Sequence, residues 1–356
     1  MFSSSSLAFL KRLLDTPGPS GFETAPARVW RDEAKSFGAE ISVDVSGNSM
    51  ATVNPEGSPT IMLDGHIDEI GVIVQYIDDE GYVHISPIGG WDPQVLVAQR
   101  IRFITEQGEV FGVIGKKPIH LIKPEDREKA SKLIDLWVDI GAKNKAEAAA
   151  RLTVGDPGVI DGKAIDFPNG RLVSRSIDDR IGAFVVLEAL RRYAAKPGKA
   201  KVVAVATTQE EIAWNGGGAL VCAQCVDPQM AVVVDVTFAT DHPGLEKKEL
   251  GDHALGGGPV LSRGGLISPV ALKLLRDAAA RMKIPYSLHG VGRDTSTNAD
   301  AIAIAREGVA TALVSIPNRY MHSPNEMVDL ADVDAAAELL AEVCRTLDGT
   351  VDFTDR

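Results

Sequence analysis

The chain has 356 residues, 45% of them hydrophobic and 24% charged, which is enough for a domain or two with a sizeable core. Lys and Arg number 37 against 49 Asp and Glu, a formal net charge of −12, which excludes the clustered basic footprint of a nucleic-acid-binding protein. Three cysteines exclude a disulfide framework, and no apolar run reaches the length of a membrane span.

The opening stretch MFSSSSLAFLKRLLDTPG is broken early by Asp15 and Pro17. It lacks a long apolar core and a small-residue cleavage site, so it reads as a short amphipathic helix and the protein as cytoplasmic. Leu7 to Leu14 suits a helix ended by Pro17-Gly18. A second helix starts at Thr24, with Pro26 in its first turn and Gly38 at its close. Ile41–Val45 and Met50–Val53 alternate around Gly47-Asn48, a hairpin signal. Thr60–Leu63 is an apolar strand that runs into Asp64-Gly65-His66-Ile67-Asp68.

After Asp68 the texture changes. Ile70–Tyr76, Tyr82–Ile85, Val95–Val97, Arg100–Ile104 and Glu109–Ile114 read as short strands between turns, a small all-β unit. Pro124–Val138 then reads as one helix and Lys145–Leu152 as another. From about Val173 strands and helices alternate. Asp178-Asp179-Arg180 opens a helix over Ile181–Ala195, Lys201–Thr208 is a strand, and Gly216 to Ala223 starts a helix. Ala231–Val236 is a continuous apolar strand, Ser268–Lys283 a helix, Ala310–Ile316 a strand and Leu330–Leu347 a terminal helix. Gly256-Gly257-Gly258-Pro259 and Arg263-Gly264-Gly265 read as loops. Continuous apolar strands between helices predict a mostly parallel, buried sheet. Cys222 and Cys225 form a C-x-x-C with no second pair at zinc-site spacing and read as free thiols.

In open α/β sheets the site forms outside the carboxyl ends of the strands. Those predicted ends carry His66 and Asp68, Asp178, Glu210 and Glu211, Asp235, and His322. Taken singly, His66 reads as a core histidine, Asp178 as a helix cap, Asp235 as a turn cap and His322 as a loop residue. Those accounts do not explain why all of them fall on one sheet edge. Two imidazoles with several carboxylates suit zinc or cobalt, with manganese also tolerated. The count fits two metals about 3.5–4 Å apart sharing a carboxylate.

The segments LDGHIDEIG, SIDDRIG, TTQEEI, VVVDVTFATDHPG and IPNRYMHSPNEMV, with GGWDPQVLVAQR and GVIGKKPIHL in the β-rich stretch, resemble the tetrahedral and glutamyl aminopeptidase family of di-zinc metallopeptidases. The resemblance runs from about Pro17 to the last helix. It implies a phosphorylase/hydrolase-like α/β/α catalytic domain, residues 1–68 and 165–356, interrupted by a small β-barrel-like dimerisation domain, residues 69–164. It implies homo-oligomers, commonly dodecamers, acting on peptides, with neither nucleic acid nor membrane as partner. It gives His66, Asp178, Asp235, Glu211 and His322 as ligands of two divalent ions, Asp178 bridging them. Asp68 orients His66, and Glu210 is the general base that takes a proton from metal-activated water and passes it to the leaving amine.

The sequence departs from the family pattern after the Glu pair, at Ala213-Trp214-Asn215-Gly216-Gly217-Gly218, and at Thr297-Asn298-Ala299-Asp300. Substrate choice is therefore open. Arg293 and Asp300 are candidates for the side-chain pocket, and His120 for a substrate contact across a subunit boundary. His84, His242, His253 and His289 read as structural, and Trp91 as packing. The competing readings are a related di-metal hydrolase, a carboxypeptidase or N-deacylase, and a metal-bound assembly without activity. A glycosidase would need two carboxyl groups flanking a sugar rather than a histidine-rich cluster.

Overall fold

A computed structural model describes residues 1–213 and 216–354. Trp214 and Asn215, in the segment that departs from the family pattern, lie outside the described residues. Helix α1 (Ser4–Asp15) is capped by Ser3, whose hydroxyl accepts from the Ser6 N–H, and buries Phe9, Leu10, Leu13 and Leu14 along one face. Helix α2 (Thr24–Lys35) follows, then the expected hairpin of β1 (Glu40–Val43) and β2 (Ser49–Val53), and strand β3 (Thr60–His66).

The next stretch holds β4 (Gly71–Ile77), β5 (Val83–Ile88), a one-turn helix α3 (Pro93–Leu96), β6 (Arg100–Thr105), β7 (Gly108–Gly115), β8 (Trp137–Asp139), helix α4 (Lys145–Ala149) and β9 (Pro157–Ile160). The six strands close into a barrel in the order β4-β5-β8-β7-β6-β9. Its interior is filled by alternate residues such as Val72, Val74, Ile101, Phe103 and Val138.

Two sequence expectations fail here. Pro124–Val138 is no helix: it forms 3-10 turns at Pro124–Asp126 and Leu133–Asp135 and then enters β8. The lysines, glutamate and alanine before it suggest helix, but the buried residues Leu136, Val138 and Ile140 alternate with period two, and that period wins once a barrel offers two partner strands. Val95–Val97 belongs to α3 and the residue after it, because Asp92 accepts from the Gln94 N–H and Pro93 starts the turn.

The chain continues with β10 (Ile165–Phe167), β11 (Arg171–Ser174), α5 (Ile177–Ala195), β12 (Lys201–Thr207), α6 (Gly217–Val226), β13 (Met230–Phe238) and α7 (Lys247–Leu250). It ends with β14 (Val260–Gly264), α8 (Pro269–Met282), β15 (Ser287–Val291), α9 (Asn298–Ala303), β16 (Ala310–Asn318), β17 (Glu326–Asp329) and α10 (Leu330–Thr346). The main sheet has eight strands in the order β1-β2-β12-β3-β13-β16-β14-β15, and its centre, β12-β3-β13-β16, is parallel as expected. Strands β14 and β15, read as loops or passed over because glycines surround them, extend this sheet at one edge.

Helices cover both faces. At the end of β3 successive side chains point opposite ways. Asp64 Oδ2 accepts from Asn298 Nδ2 of α9 at 2.9 Å, whereas a Cβ added at Gly65 would stand 2.5 Å from the Ala183 nitrogen of α5. Only glycine lets α5 come this close to β3. Helix α5 is therefore enclosed, with Ile177 to Leu190 buried all round, between the sheet and α1, α2 and α10.

One buried ion network ties these pieces together. Glu69, just after β3, accepts from Arg175, from Arg180 Nη2 at 2.9 Å and from the Gly18 N–H at 3.0 Å. Arg180, fully buried on α5, also donates to the carbonyls of Leu13, Thr16 and Gly18 around the end of α1 and to Ile67 after β3. The carboxylate of Glu69 is held below its ordinary range: burial opposes ionisation, but Arg175 and Arg180 outweigh it. Glu69→Ala leaves two buried guanidinium groups without a counter-charge, and the expected loss is about 3–5 kcal/mol of stability. The check is the urea midpoint of the variant against the parent; an unchanged midpoint would contradict this account.

Candidate active site

The turn after β12 aims two glutamates at one cleft. Its backbone is held from outside: the Thr208 N–H donates to Asn48 Oδ1 at 2.9 Å and the Gln209 N–H to Glu23 Oε1 at 3.1 Å. Gln209 takes a left-handed conformation, φ 62°, which swings the chain round. The Glu210 and Glu211 N–H groups then donate to the two oxygens of Asp68, at 3.2 and 3.1 Å. Asp68 Oδ1 also lies 3.3 Å from His66 Nδ1. This one buried carboxylate therefore holds the backbone of both glutamates and stands beside the imidazole, where the sequence reading anticipated a role only towards His66.

Asp178 sits between the two histidines. Its Oδ1 lies 3.2 Å from His66 Nε2 and its Oδ2 lies 3.3 Å from His322 Nε2. His322 Nε2 is also 3.3 Å from Glu211 Oε1, and His66 Nε2 is 3.7 Å from Glu210 Oε2. The other nitrogen of His322 meets the Gly90 carbonyl at 2.8 Å, which leaves Nε2 for the cleft. Asp178 does not come from the main-sheet edge as expected. It lies in the non-helical first residues of α5, after β11, which belongs to a separate three-stranded sheet, β10-β11-β17. That sheet delivers Asp178 alongside the ends of β3, β12 and β16 because β17 pairs with β11 and carries Glu326. Glu326 Oε2 accepts from the Asp178 N–H at 3.0 Å and its Oε1 from the His322 N–H at 2.9 Å. Glu326, Gly90 and Asp179, whose carboxylate accepts from the His66 and Gly182 N–H groups, were not singled out from sequence. Only the string DD and the acid closing HSPNE hinted at two of them.

The acids outnumber the imidazoles, and their protonation shows it. Burial, followed by Asp178, raises Asp235, while burial and Asp235 raise Asp179. Burial lifts the Glu210 carboxyl to about 8, with Glu211 and Asp178 adding to the shift and His66 opposing it. Burial also raises Glu211, against the imidazole of His322 beside it. Asp178, like Asp68, is held below its ordinary range, because both imidazoles outweigh burial. His322 is pushed up to about 11, since Asp178 and Glu211 overcome its burial, and Asp68, Asp178 and Glu210 likewise raise His66.

Such a cluster is suited to cations. Donor atoms of His66, Asp178 and Glu211 lie within 4.8 Å of one another, as do those of His66, Asp179 and Asp235. Glu211 Oε1 is buried without a hydrogen-bond partner, so a ligand atom is oriented and unfilled by protein. Imidazole nitrogen with carboxylate oxygen is the donor set of zinc and its neighbours. Beside it lies a cavity of about 450 Å³ lined by Glu210, Asp235, Thr237, Phe238, His289 and Met321.

The remaining candidates are placed differently. Asp300 lines an adjoining cavity, but its oxygens accept from the Thr295 and Ser296 N–H groups. Arg293 is exposed on the wall of another. His120 is exposed on a 3-10 turn, Ile119–Leu121, and is not among the cleft-lining residues. Trp91 packs as expected, donating from Nε1 to the Gly71 carbonyl at 2.8 Å. Asn298 is buried and donates to Asp64 and Thr207 at 2.9 Å each.

The sequence profile of the M42 glutamyl aminopeptidases matches residues 47–339. The chain belongs to the M42 glutamyl aminopeptidase family. It is thereby a peptide-bond hydrolase of the aminopeptidase class. It is similar to the lysyl aminopeptidase of Pyrococcus furiosus, 36% identical over 349 residues that cover 97% of this chain and 98% of the relative. A TET aminopeptidase from a marine sediment Thaumarchaeota archaeon superposes with a TM-score of 0.92 at 33% identity, covering 97% of each chain. The TET1 peptidase of Pyrococcus horikoshii, which assembles into a tetrahedron or a large octahedral shell, superposes with a TM-score of 0.85 at 29% identity, covering 96% of this chain and 100% of that one. The α/β fold with its closed barrel, matched by these TET structures, was the fold class expected.

Replacing Glu326 by Gln sets an amide N–H₂ against one of two buried N–H donors. An unsatisfied buried donor costs about 1–3 kcal/mol, so peptidase activity is expected to fall roughly tenfold or more in a folded protein. Circular dichroism verifies the fold; full activity would show that Glu326 does not hold Asp178 and His322.

Proposed function

We propose that this M42 chain is a metal-dependent aminopeptidase that binds two divalent ions, zinc first among zinc, cobalt and manganese, between its two cleft histidines. The observation that supports this most directly is Asp178, which offers one oxygen to each imidazole. In this reading His66, Asp178 and Asp235 would hold one ion and Asp178, Glu211 and His322 the other. The protons that burial keeps on Glu211 and Asp235 would leave when the ions bind. Bound ions of this kind supply Lewis acidity and lower the pKa of water towards neutrality.

The chain's own groups do the rest. Asp68 keeps the His66 ring turned so that Nε2 faces Asp178. Glu210, which is no ligand in this assignment, lines the cleft 3.7 Å from His66 Nε2, where it can accept a proton. It takes that proton from the attacking water and delivers it to the leaving amine. The second ion's site and the cleft carboxylates beside it, Glu210 and Glu211, suit the free α-amine of the substrate, which an aminopeptidase must hold and a carboxypeptidase need not.

Residues 1–68 and 165–356 form the catalytic unit in this proposal, and the insert 69–164 a dimerisation unit. The exposed apolar residues Tyr76, Phe111 and Val113 on the barrel support an oligomer, with a dodecamer the expected form by analogy with TET relatives. The cytoplasmic location is part of the same reading and is supported by three free cysteines. No helix among the described residues is long and apolar enough to cross a membrane.

Glu210→Gln should retain bound metal and assembly while hydrolysis falls by roughly 10²–10⁴-fold. Metal content by mass spectrometry of the purified protein and release of amino acids from a peptide's amino end decide the matter. An active Glu210→Gln would refute the proton-transfer role. Chelation with removal of the ions should abolish activity, and zinc or cobalt should restore it; a fully active, metal-free protein would refute the metal assignment.

A further inference from the structure

Two histidines that read as structural from sequence form a chain leading into the cleft. His253 is 1% exposed. Its Nδ1 lies 2.8 Å from Ser287 Oγ and its Nε2 lies 3.3 Å from His289 Nδ1. The backbone of His253 is fixed by Thr240, which exchanges hydrogen bonds with it at 2.9 and 2.7 Å. Gly251 makes room for the ring: a Cβ there would stand 2.6 Å from His253 Nε2. Ser287 and His289 reach the same imidazole because they are two apart on β15 and share a face. Both nitrogens of His253 are thus engaged, and only Nε2 of His289 remains for a ligand.

His289 stands on the wall between two cavities. One is the cleft beside Glu210 and Asp235. The other, about 410 Å³, is lined by Thr237, Ser262, Thr295 and Ser315, with Arg293 and Asp294 exposed on its rim. Its lining is rich in hydroxyls and holds no buried carboxylate among the described residues, so it offers nothing to neutralise a lysine side chain. The rim charges are exposed to solvent and contribute little. Burial, with His289 as neighbour, holds His253 below its ordinary pKa, which favours a neutral His253. With the serine hydroxyl donating to His253 Nδ1 and His253 Nε2–H donating to His289 Nδ1, the free His289 nitrogen becomes an N–H donor.

We propose that His289 is a specificity-determining residue, positioned by His253 and Ser287, whose Nε2–H donates to an acceptor oxygen on the side chain of the substrate's first residue. The recognition is by hydrogen bond rather than by charge, so an amide and a carboxylate oxygen are both accepted. Glutamine and glutamate at the amino end are then preferred over leucine and lysine. This rests on the aminopeptidase reading above.

The test compares kcat/KM for the 4-nitroanilides of Gln, Glu, Leu and Lys with the metal-loaded enzyme and its His289→Leu, His289→Gln and His253→Phe variants. In the parent, Gln and Glu are expected to exceed Leu. In His289→Leu the Gln-to-Leu ratio should fall about tenfold, carried mainly by KM, because one neutral hydrogen bond is removed. His289→Gln, which keeps an amide donor near the Nε2 position, should retain much of the ratio, and it also serves if the leucine variant does not fold. His253→Phe should lower the ratio by freeing the ring. A ratio unchanged in both His289 variants, or a parent that prefers Leu or Lys, overturns the proposal. Cleavage of none of the four by the parent would instead fault the aminopeptidase reading.

Discussion

The Asp68 carboxylate sets the register of the whole site. It follows β3 directly, is fully buried, and receives the Glu210 and Glu211 N–H groups while standing beside His66 Nδ1. Its position makes the ends of β3 and β12 behave as one rigid piece, although they reach it from different parts of the chain. Burial opposes its charge, but His66 and the donated N–H groups keep it ionised. An anion held by several donors in a low-dielectric interior orients them more firmly than a neutral group would.

The cost of this arrangement is charge. Asp178, Asp179, Glu210, Glu211 and Asp235 crowd two imidazoles, and most of the acids are driven to keep a proton. Positive charge lies behind this cluster, in Arg175 and Arg180 on either side of the Asp178-Asp179 pair, but Glu69 already neutralises part of it. Divalent ions in front of the acids would resolve the imbalance that the protein leaves, which is why the donor set and the electrostatics lead to the same proposal.

The barrel takes part in the site rather than merely hanging from it. Its Gly90 carbonyl fixes the His322 ring, and Trp91 anchors that loop to β4. At the other edge of the sheet, β15 supplies His289 to the cleft wall. The candidate site thus sits over the parallel centre of the sheet, and features suited to selecting a substrate sit at its margin.

Much of the centre was legible from the chain alone. Strand formers ending in DGHID, TTQEE and VVVDV marked where chemistry-bearing groups leave the sheet, because strand period and turn chemistry are local properties. The origin of Asp178 in a second small sheet, the clamp by Glu326 and the carbonyl of Gly90 were not legible. Glu326 meets Asp178 across 148 residues, and nothing within either segment encodes that distance. The same limit misread Pro124–Val138, where a helical composition yields to a strand once neighbouring strands are in place. By itself the sequence determined which side chains can bind cations and move protons, since that follows from residue type. Tertiary structure alone decided which of them meet, and which backbone groups hold them there, since those contacts exist only after the sheets and the barrel have closed.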